Sequence, residues 1–280
     1  MVPMRHTVLV FAGLDPSGGA GLAADIVSIA AQGAHALPVI TALTVQDNDR
    51  VFGVEPVAPE LLRRQAQALI DKMAIYAVKI GIPGSAANAA VIAQLIAQLR
   101  LIRPSLPVVL DPVLASGHGD VLSRDDAVLA LAPLLPVTTV IVPNGPEALT
   151  LGGEGNLRAR GCENVLVTGG HGDGEVLVNR WFDAEGRERE WRWPRLPGEF
   201  HGSGCTLASA IAARLAQGVP MQEALDGAQR YCHAALAGAF AIAPGAPRWP
   251  TPKCSRCHEI RRAGAASATR AHCQHHRASG

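Results

Sequence analysis

Aromatic side chains are nearly missing from this chain: 4 Trp, 2 Tyr and 5 Phe stand among 280 residues. Any core must therefore be built from Ala, Leu, Val and Ile. No apolar run approaches the roughly 18 residues that a membrane-crossing helix needs, which excludes a membrane protein. Charge of one sign is also lacking, since 25 basic and 24 acidic side chains nearly cancel. Six of those basic residues and only one acid, Glu259, lie in 253–280, so the rest is mildly acidic. That balance argues against a nucleic-acid-binding surface as the main business. Six cysteines are too few for a disulfide scaffold. Thr7–Ala12 runs straight into Gly13-Leu-Asp-Pro16, too short and too abruptly polar for a signal peptide. The expectation is a cytoplasmic protein with reduced thiols.

What is present is order. A hydrophobic fraction of 48% against 18% charged residues excludes a largely disordered chain. Glycine (29) and proline (20) punctuate many tight turns. Apolar runs of strand length alternate with helical segments. Strands are expected at Thr7–Ala12, Leu37–Val45, Ala77–Ile82, Pro107–Leu110, Val137–Val142 and Asn164–Thr168. Helices are expected at Ala20–Gln32, Pro59–Met73, Ser85–Leu99, Ser203–Gln217 and Met221–Ala239, with Ser85 an N-cap. Glu175–Asn179 and Glu190–Trp193 read as an antiparallel pair. Apolar strands alternating with helices predict an α/β fold, a mainly parallel sheet covered on both faces. In such folds ligands bind beyond the carboxyl ends of the strands.

The unusual residues fall in that place. Gly13–Gly21 carries four glycines in nine residues, with Asp25 about one turn into the following helix. It is neither a Walker A loop nor a dinucleotide fingerprint, because no Lys-Ser/Thr follows and the glycine spacing is wrong. His201-Gly-Ser-Gly-Cys-Thr206 opens a helix, and the amides of Gly202, Ser203 and Gly204 there can form an anion site. Cys205 sits in its first turn, where the positive end of the helix dipole is expected to lower the thiol pKa and suit it as a base. The plainer reading is a small buried thiol at a tight helix start. A Cys–His hydrolase is weaker still, since nothing in the sequence places His201 to orient the thiol. Asn144-Gly-Pro-Glu147 suits Mg²⁺ near nucleotide phosphates, or simply caps a helix. Asp111-Pro-Val113 is a strand-end acid with the same capping alternative. Gln46, a polar residue ending an apolar strand, can read both a donor and an acceptor on a heterocycle edge.

Taken together, these motifs resemble the hydroxymethylpyrimidine/phosphomethylpyrimidine kinase family of thiamine biosynthesis, in the ribokinase-like superfamily. The resemblance rests on Gly13–Leu22 with Ala24-Asp25, Thr41–Gln46, Lys79-Ile-Gly81, Leu110–Val113, Pro143–Glu147, Val167–His171 and His201–Leu207. It covers residues 7 to about 240, and implies a ribokinase-like fold over 1–243. It implies that Gly13, Asp25, Gln46 and Val113 line an aminopyrimidine pocket. Asp111, Asn144, Glu147 and Thr168 would serve ATP and Mg²⁺, residues 202–204 the anion hole, and Cys205 the base. The implied activity is phosphorylation by ATP of 4-amino-5-hydroxymethyl-2-methylpyrimidine, then of its monophosphate to the diphosphate. A pyridoxal/pyridoxine kinase is the nearest alternative, and a catalytically impaired pyrimidine-binding relative a third reading. The partners implied are small molecules, with neither nucleic acid nor membrane; family members are often homodimers.

Three features depart from the family. Ile82-Pro83 stands where Met-Leu is usual. The crossover between the strands near 142 and 164 is shorter than is usual in the family, feasible but tight for a parallel crossover, and a helix lost there would uncover one sheet face. The segment 244–280 is foreign in composition. Cys254, Cys257, Cys273 and His276 have zinc-ribbon-like spacing. The stretch between them has almost no large apolar residue, so 244–280 reads as a disordered basic tail.

Overall fold

The structure, a computed structural model, describes residues 4–47, 49–114, 127–172, 174–243 and residue 250. The first half contains β1 (Thr7–Leu14), α1 (Gly21–Ala31), β2 (His35–Gln46), β3 (Val51–Pro56), α2 (Pro59–Ile70), β4 (Ala77–Ile80), α3 (Ala86–Ile102) and β5 (Val108–Leu110). There follow α4 (Ala127–Leu131), β6 (Val140–Ile141), α5 (Gly145–Thr150), α6 (Gly153–Ala159), β7 (Asn164–Val167), β8 (Val176–Phe182), β9 (Glu188–Pro194), α7 (Ser203–Ala216) and α8 (Met221–Ala237). The strands form one sheet in the order β3-β2-β1-β4-β5-β6-β7-β8-β9. From β2 to β7 neighbouring strands are parallel. β3 pairs antiparallel with β2 at one edge, and β8 and β9 extend the other edge antiparallel.

The alternation of β1 shows why both faces are covered. Val8, Val10 and Ala12 enter one core with residues of α1, α7 and α8. Leu9 and Phe11 enter the opposite core with residues of α2 and α3. All five are at most 1% exposed, so a strand lying between two helical layers has to be apolar throughout. Ser85 caps α3 as expected, its hydroxyl accepting the Asn88 N–H at 3.2 Å.

The strand reading is corrected in two places. The strand expected at Val137–Val142 shrinks to Val140–Ile141, behind a 3₁₀ turn at Leu135–Val137. The Thr138 hydroxyl bonds back to the Leu134 carbonyl at 2.8 Å, and the Thr139 hydroxyl accepts the Val108 N–H. Side chains that satisfy backbone groups this way end regular pairing. β3 went unread because Gly53, Pro56 and a solvent-facing Phe52 break its pattern. The short crossover is not bare: α5 and α6 fill it, and Leu151, Leu157 and Cys162 reach the core. Cys254, Cys257, Cys273 and His276 lie outside the described residues.

Candidate active site

Backbone bonds gather the carboxyl ends of the parallel strands. Gly81 N–H donates to the Phe11 carbonyl at 2.8 Å, Asp111 N–H to Ile80 at 2.9 Å, and Val142 N–H to Leu110 at 2.9 Å. The chain therefore delivers the glycine loop after β1, Gly81 after β4, Asp111 after β5 and Asn144 after β6 to one sheet edge. The N-terminus of α7 closes over them. Gly202 makes that contact: with φ +78°, a Cβ on it would lie 1.9 Å from the Gly19 carbonyl oxygen, so any other residue would push α7 and the glycine loop apart. Within the loop, a Cβ on Gly21 (φ +52°) would lie 2.3 Å from the Gly13 carbonyl oxygen.

Under this contact lies a cluster of charge. Asp25 and Lys79 are wholly buried, with Lys79 Nζ 2.8 and 3.0 Å from the two Asp25 oxygens. Ser209 Oγ of α7 donates to Asp25 Oδ1 at 2.6 Å. Burial raises the Asp25 pKa, and Lys79 and Ser209 work against that rise. Burial alone would lower the Lys79 pKa, but the charges of Asp25, Cys205 and Asp111 outweigh it and hold the ammonium above its ordinary value. Asp111, 4% exposed, is hydrogen-bonded to Cys205, and its Oδ2 has no hydrogen-bond partner. Burial raises its pKa too.

Cys205 lies in the first turn of α7, as expected, but its pKa moves the other way. Burial pushes it up; Lys79 pulls it down, while Asp111 and Asp25 push it further up. The helix dipole acts on a half-buried thiol beside two carboxylates, and desolvation outweighs it. The Gly21 N–H donates to the Cys205 sulfur. Burial and the negative charge of Asp111 and Asp25 thus favour the protonated thiol.

Asn144 and Glu147 form a capping box on α5. Glu147 N–H donates to Asn144 Oδ1 at 2.9 Å, and Asn144 N–H donates to Glu147 Oε2 at 2.9 Å. Glu147 also accepts the Leu114 N–H, and its pKa is raised to about 7, by burial first and then by the charge of Asp111. The helix-cap alternative is thus realised, and Glu147 still stands beside Asp111. Thr168 pairs with Asn144 through a parallel bridge. A cleft of about 350 Å³ opens beside them, lined among others by Gly145, Thr168, Gly169, His171 and Arg180. An unpartnered Asp111 oxygen next to a carboxyl forced towards neutrality fits a divalent cation, which would relieve both.

The structure brings Asp25, Asp111, Cys205 and the 202–204 turn together, with Glu147 adjoining. Gly13 is buried against Ile82, whose Cδ1 would be 2.6 Å from a Cβ there. Val113 lies two residues after Asp111, beyond Pro112, and is half-buried. Gln46 is not joined to the cluster by any described contact; it pairs with Val51 towards the tip of the β2–β3 ribbon. Sequence reasoning missed Lys79, Asp15 and Asn179. A lysine inside an apolar strand was the available signal for Lys79, because a lysine is almost never fully buried without a partner. Asn179 Oδ1 accepts the Gly169 N–H at 3.0 Å and its Nδ2 donates to Gln229, which steadies the loop after Thr168. Nothing in an antiparallel strand marks such an asparagine.

A mainly parallel sheet with a glycine-rich helix start and a buried acid cluster at its carboxyl edge has the ribokinase-like fold. The chain belongs to the phosphomethylpyrimidine kinase family, whose sequence profile matches residues 15–249. It is 36% identical over 267 residues to the hydroxymethylpyrimidine/phosphomethylpyrimidine kinase of Rhizobium meliloti, covering 88% of this chain and 96% of that protein. Among solved structures it resembles a Bacillus subtilis pyridoxal kinase in complex with ADP, with TM-score 0.80 and 26% identity, covering 90% of this chain and 99% of that one. It also resembles a phosphomethylpyrimidine kinase of Clostridium difficile, with TM-score 0.68 and 30% identity, covering 81% and 98%.

Proposed function

We propose that this chain transfers the γ-phosphoryl group of ATP to 4-amino-5-hydroxymethyl-2-methylpyrimidine, and then to its monophosphate to give the diphosphate, in thiamine biosynthesis. The observation that carries the reading is the meeting of Lys79, Asp25, Asp111 and Cys205 under the start of α7, in a member of this family. The kinase domain is taken as 1–243 and the protein as a cytoplasmic enzyme; family members are often homodimers.

The primary alcohol, or the monophosphate on the second turn, attacks the γ-phosphorus in line. Catalysis in such reactions is positioning and charge stabilisation. The amides of Gly202, Ser203 and Gly204 lie in the turn and first residues of α7, where N–H groups lack intrahelical acceptors. They face the charge that develops on the transferred group. Once the charge of Asp111 is countered, the Cys205 thiol gives up its proton to solvent, and the thiolate then takes the proton of the attacking hydroxyl. Lys79 supplies a fixed positive charge beside it. Asp111 and Glu147 would hold Mg²⁺, which supplies charge neutralisation of the nucleotide phosphates. The cleft beside Asn144 and Thr168 has room for the nucleotide. Gly13, Asp25 and Val113 are assigned to the pyrimidine side, with Gln46 reaching it from the β2–β3 ribbon.

Pyridoxal is the second substrate to weigh, because the likeness to the Bacillus subtilis pyridoxal kinase has a TM-score of 0.80. Coupled ADP release with hydroxymethylpyrimidine, its monophosphate and pyridoxal at equal concentration decides between them. Preferred turnover on the two pyrimidines supports the reading; turnover on pyridoxal alone replaces it.

A further inference from the structure

The glycine loop after β1 is tied to the start of α7 at a point the mechanism has not used. Asp15 is 3% exposed. Its carboxylate accepts the N–H groups of Ser17 at 2.8 Å, Gly19 at 3.1 Å and Ala20 at 2.8 Å. It also accepts a hydrogen bond from His201 Nε2 at 2.9 Å. His201 immediately precedes Gly202, and Gly202 rests on the Gly19 carbonyl without room for a Cβ. Gly21, at the far end of the same loop, donates its N–H to the Cys205 sulfur. One loop is therefore fastened to the α7 turn at both ends, by a charged hydrogen bond at His201 and by a backbone donor at Cys205.

We propose that His201 and Asp15 are positioning residues that set the register of the anion-hole amides and of Cys205 against the transferred phosphoryl group. The proposal rests on the kinase reading above. A loop held only by backbone contact can slide by fractions of an ångström. The His201–Asp15 bond removes that freedom, because Asp15 is itself pinned by three amides of the loop. An error of about 1 Å in such a site can cost on the order of 100-fold in rate. On the pyrimidine side, Gln46 and Val113 lie outside this loop, and Gly13 is fixed within β1 and against Ile82 rather than by this bond. Its loss therefore lowers kcat while leaving the pyrimidine KM nearly unchanged.

The test compares wild type, His201→Ala and His201→Gln, reading kcat and KM for hydroxymethylpyrimidine together with thermal melting. The Gln amide nitrogen can take the place of Nε2 and donate to Asp15. The expected result is a kcat lowered about 10- to 100-fold in His201→Ala, with KM within about 3-fold, and recovery to within about 5-fold of wild type in His201→Gln. An Ala variant within 2-fold of wild type overturns the proposal, as does a folded Gln variant that recovers nothing. Should the Ala variant not fold, His201→Gln decides alone: a deficit beyond about 20-fold with normal melting refutes the positioning role. A wild-type protein that turns over no pyrimidine is a failure of the kinase reading instead.

Discussion

Removing Lys79 tests the buried cluster most sharply. Lys79 and Asp25 are both fully enclosed, and the ammonium contacts both carboxylate oxygens. Lys79→Met keeps most of the side-chain volume and leaves Asp25 buried with Ser209 as its remaining donor. Breaking a buried pair from one side costs about 3–5 kcal/mol. In a domain of this size each kcal/mol moves Tm by about 2–4 °C, so a fall of roughly 6–20 °C is expected. Adding Asp25→Asn removes the stranded charge and keeps an oxygen for Ser209. The double variant should regain at least about 2 kcal/mol, because a neutralised pair no longer carries the desolvation penalty of a lone ion. Turnover should stay low in both, since the positive charge beside Cys205 and Asp111 is gone. Urea and thermal melts of the two variants, with ADP release, read all three quantities. A single variant that loses less than about 1 kcal/mol, or a double variant less stable than the single, refutes the account of the cluster.

Further predictions follow from the same geometry. Burial works against the Asp15 charge, but hydrogen bonds from His201, Ser17 and Ala20 hold its pKa down to about 2. A lowered carboxylate stabilises the fold above its unfolded pKa and loses that contribution as pH falls. Asp15→Asn should thus cost about 2 kcal/mol at pH 7 and roughly half that at pH 3, and a gap in urea melts that is constant with pH would refute this. Glu147, raised to about 7, must shed a proton to bind a cation. Apparent Mg²⁺ affinity should rise about tenfold from pH 6 to pH 8 by calorimetry and lose most of that dependence in Glu147→Gln; an equal slope in the variant contradicts the assignment. Gly202→Ala should abolish turnover through its clash with the Gly19 carbonyl, and near-normal kcat would show that the loops do not meet there.

The sheet and the long helices were legible because apolar strands alternate with segments of helical spacing. Where it failed, side chains acted on the backbone, as Thr138 and Thr139 do before β6, or an apolar residue faced solvent, as Phe52 does in β3. The glycine loop, Asp111, the Asn144–Glu147 box and the α7 turn could be read as motifs because backbone conformation at a strand end constrains sequence locally. Lys79, Asp15 and His201 escaped because their roles depend on partners far along the chain. His201 and Asp15 are 186 positions apart. The thiol pKa was misjudged for a related reason: the dipole of α7 is visible in the sequence, but the burial around Cys205 is not.

The central claim is that Cys205 and the turn before it carry phosphoryl transfer to the pyrimidine. The measurement that tests it is Mg-ATP-dependent phosphorylation of hydroxymethylpyrimidine and its monophosphate by wild type and Cys205→Ala, with pyrimidine binding followed by calorimetry. The account predicts turnover of both pyrimidines by wild type and a loss of about 100- to 10,000-fold in Cys205→Ala with binding retained. Near-normal turnover by Cys205→Ala would contradict it.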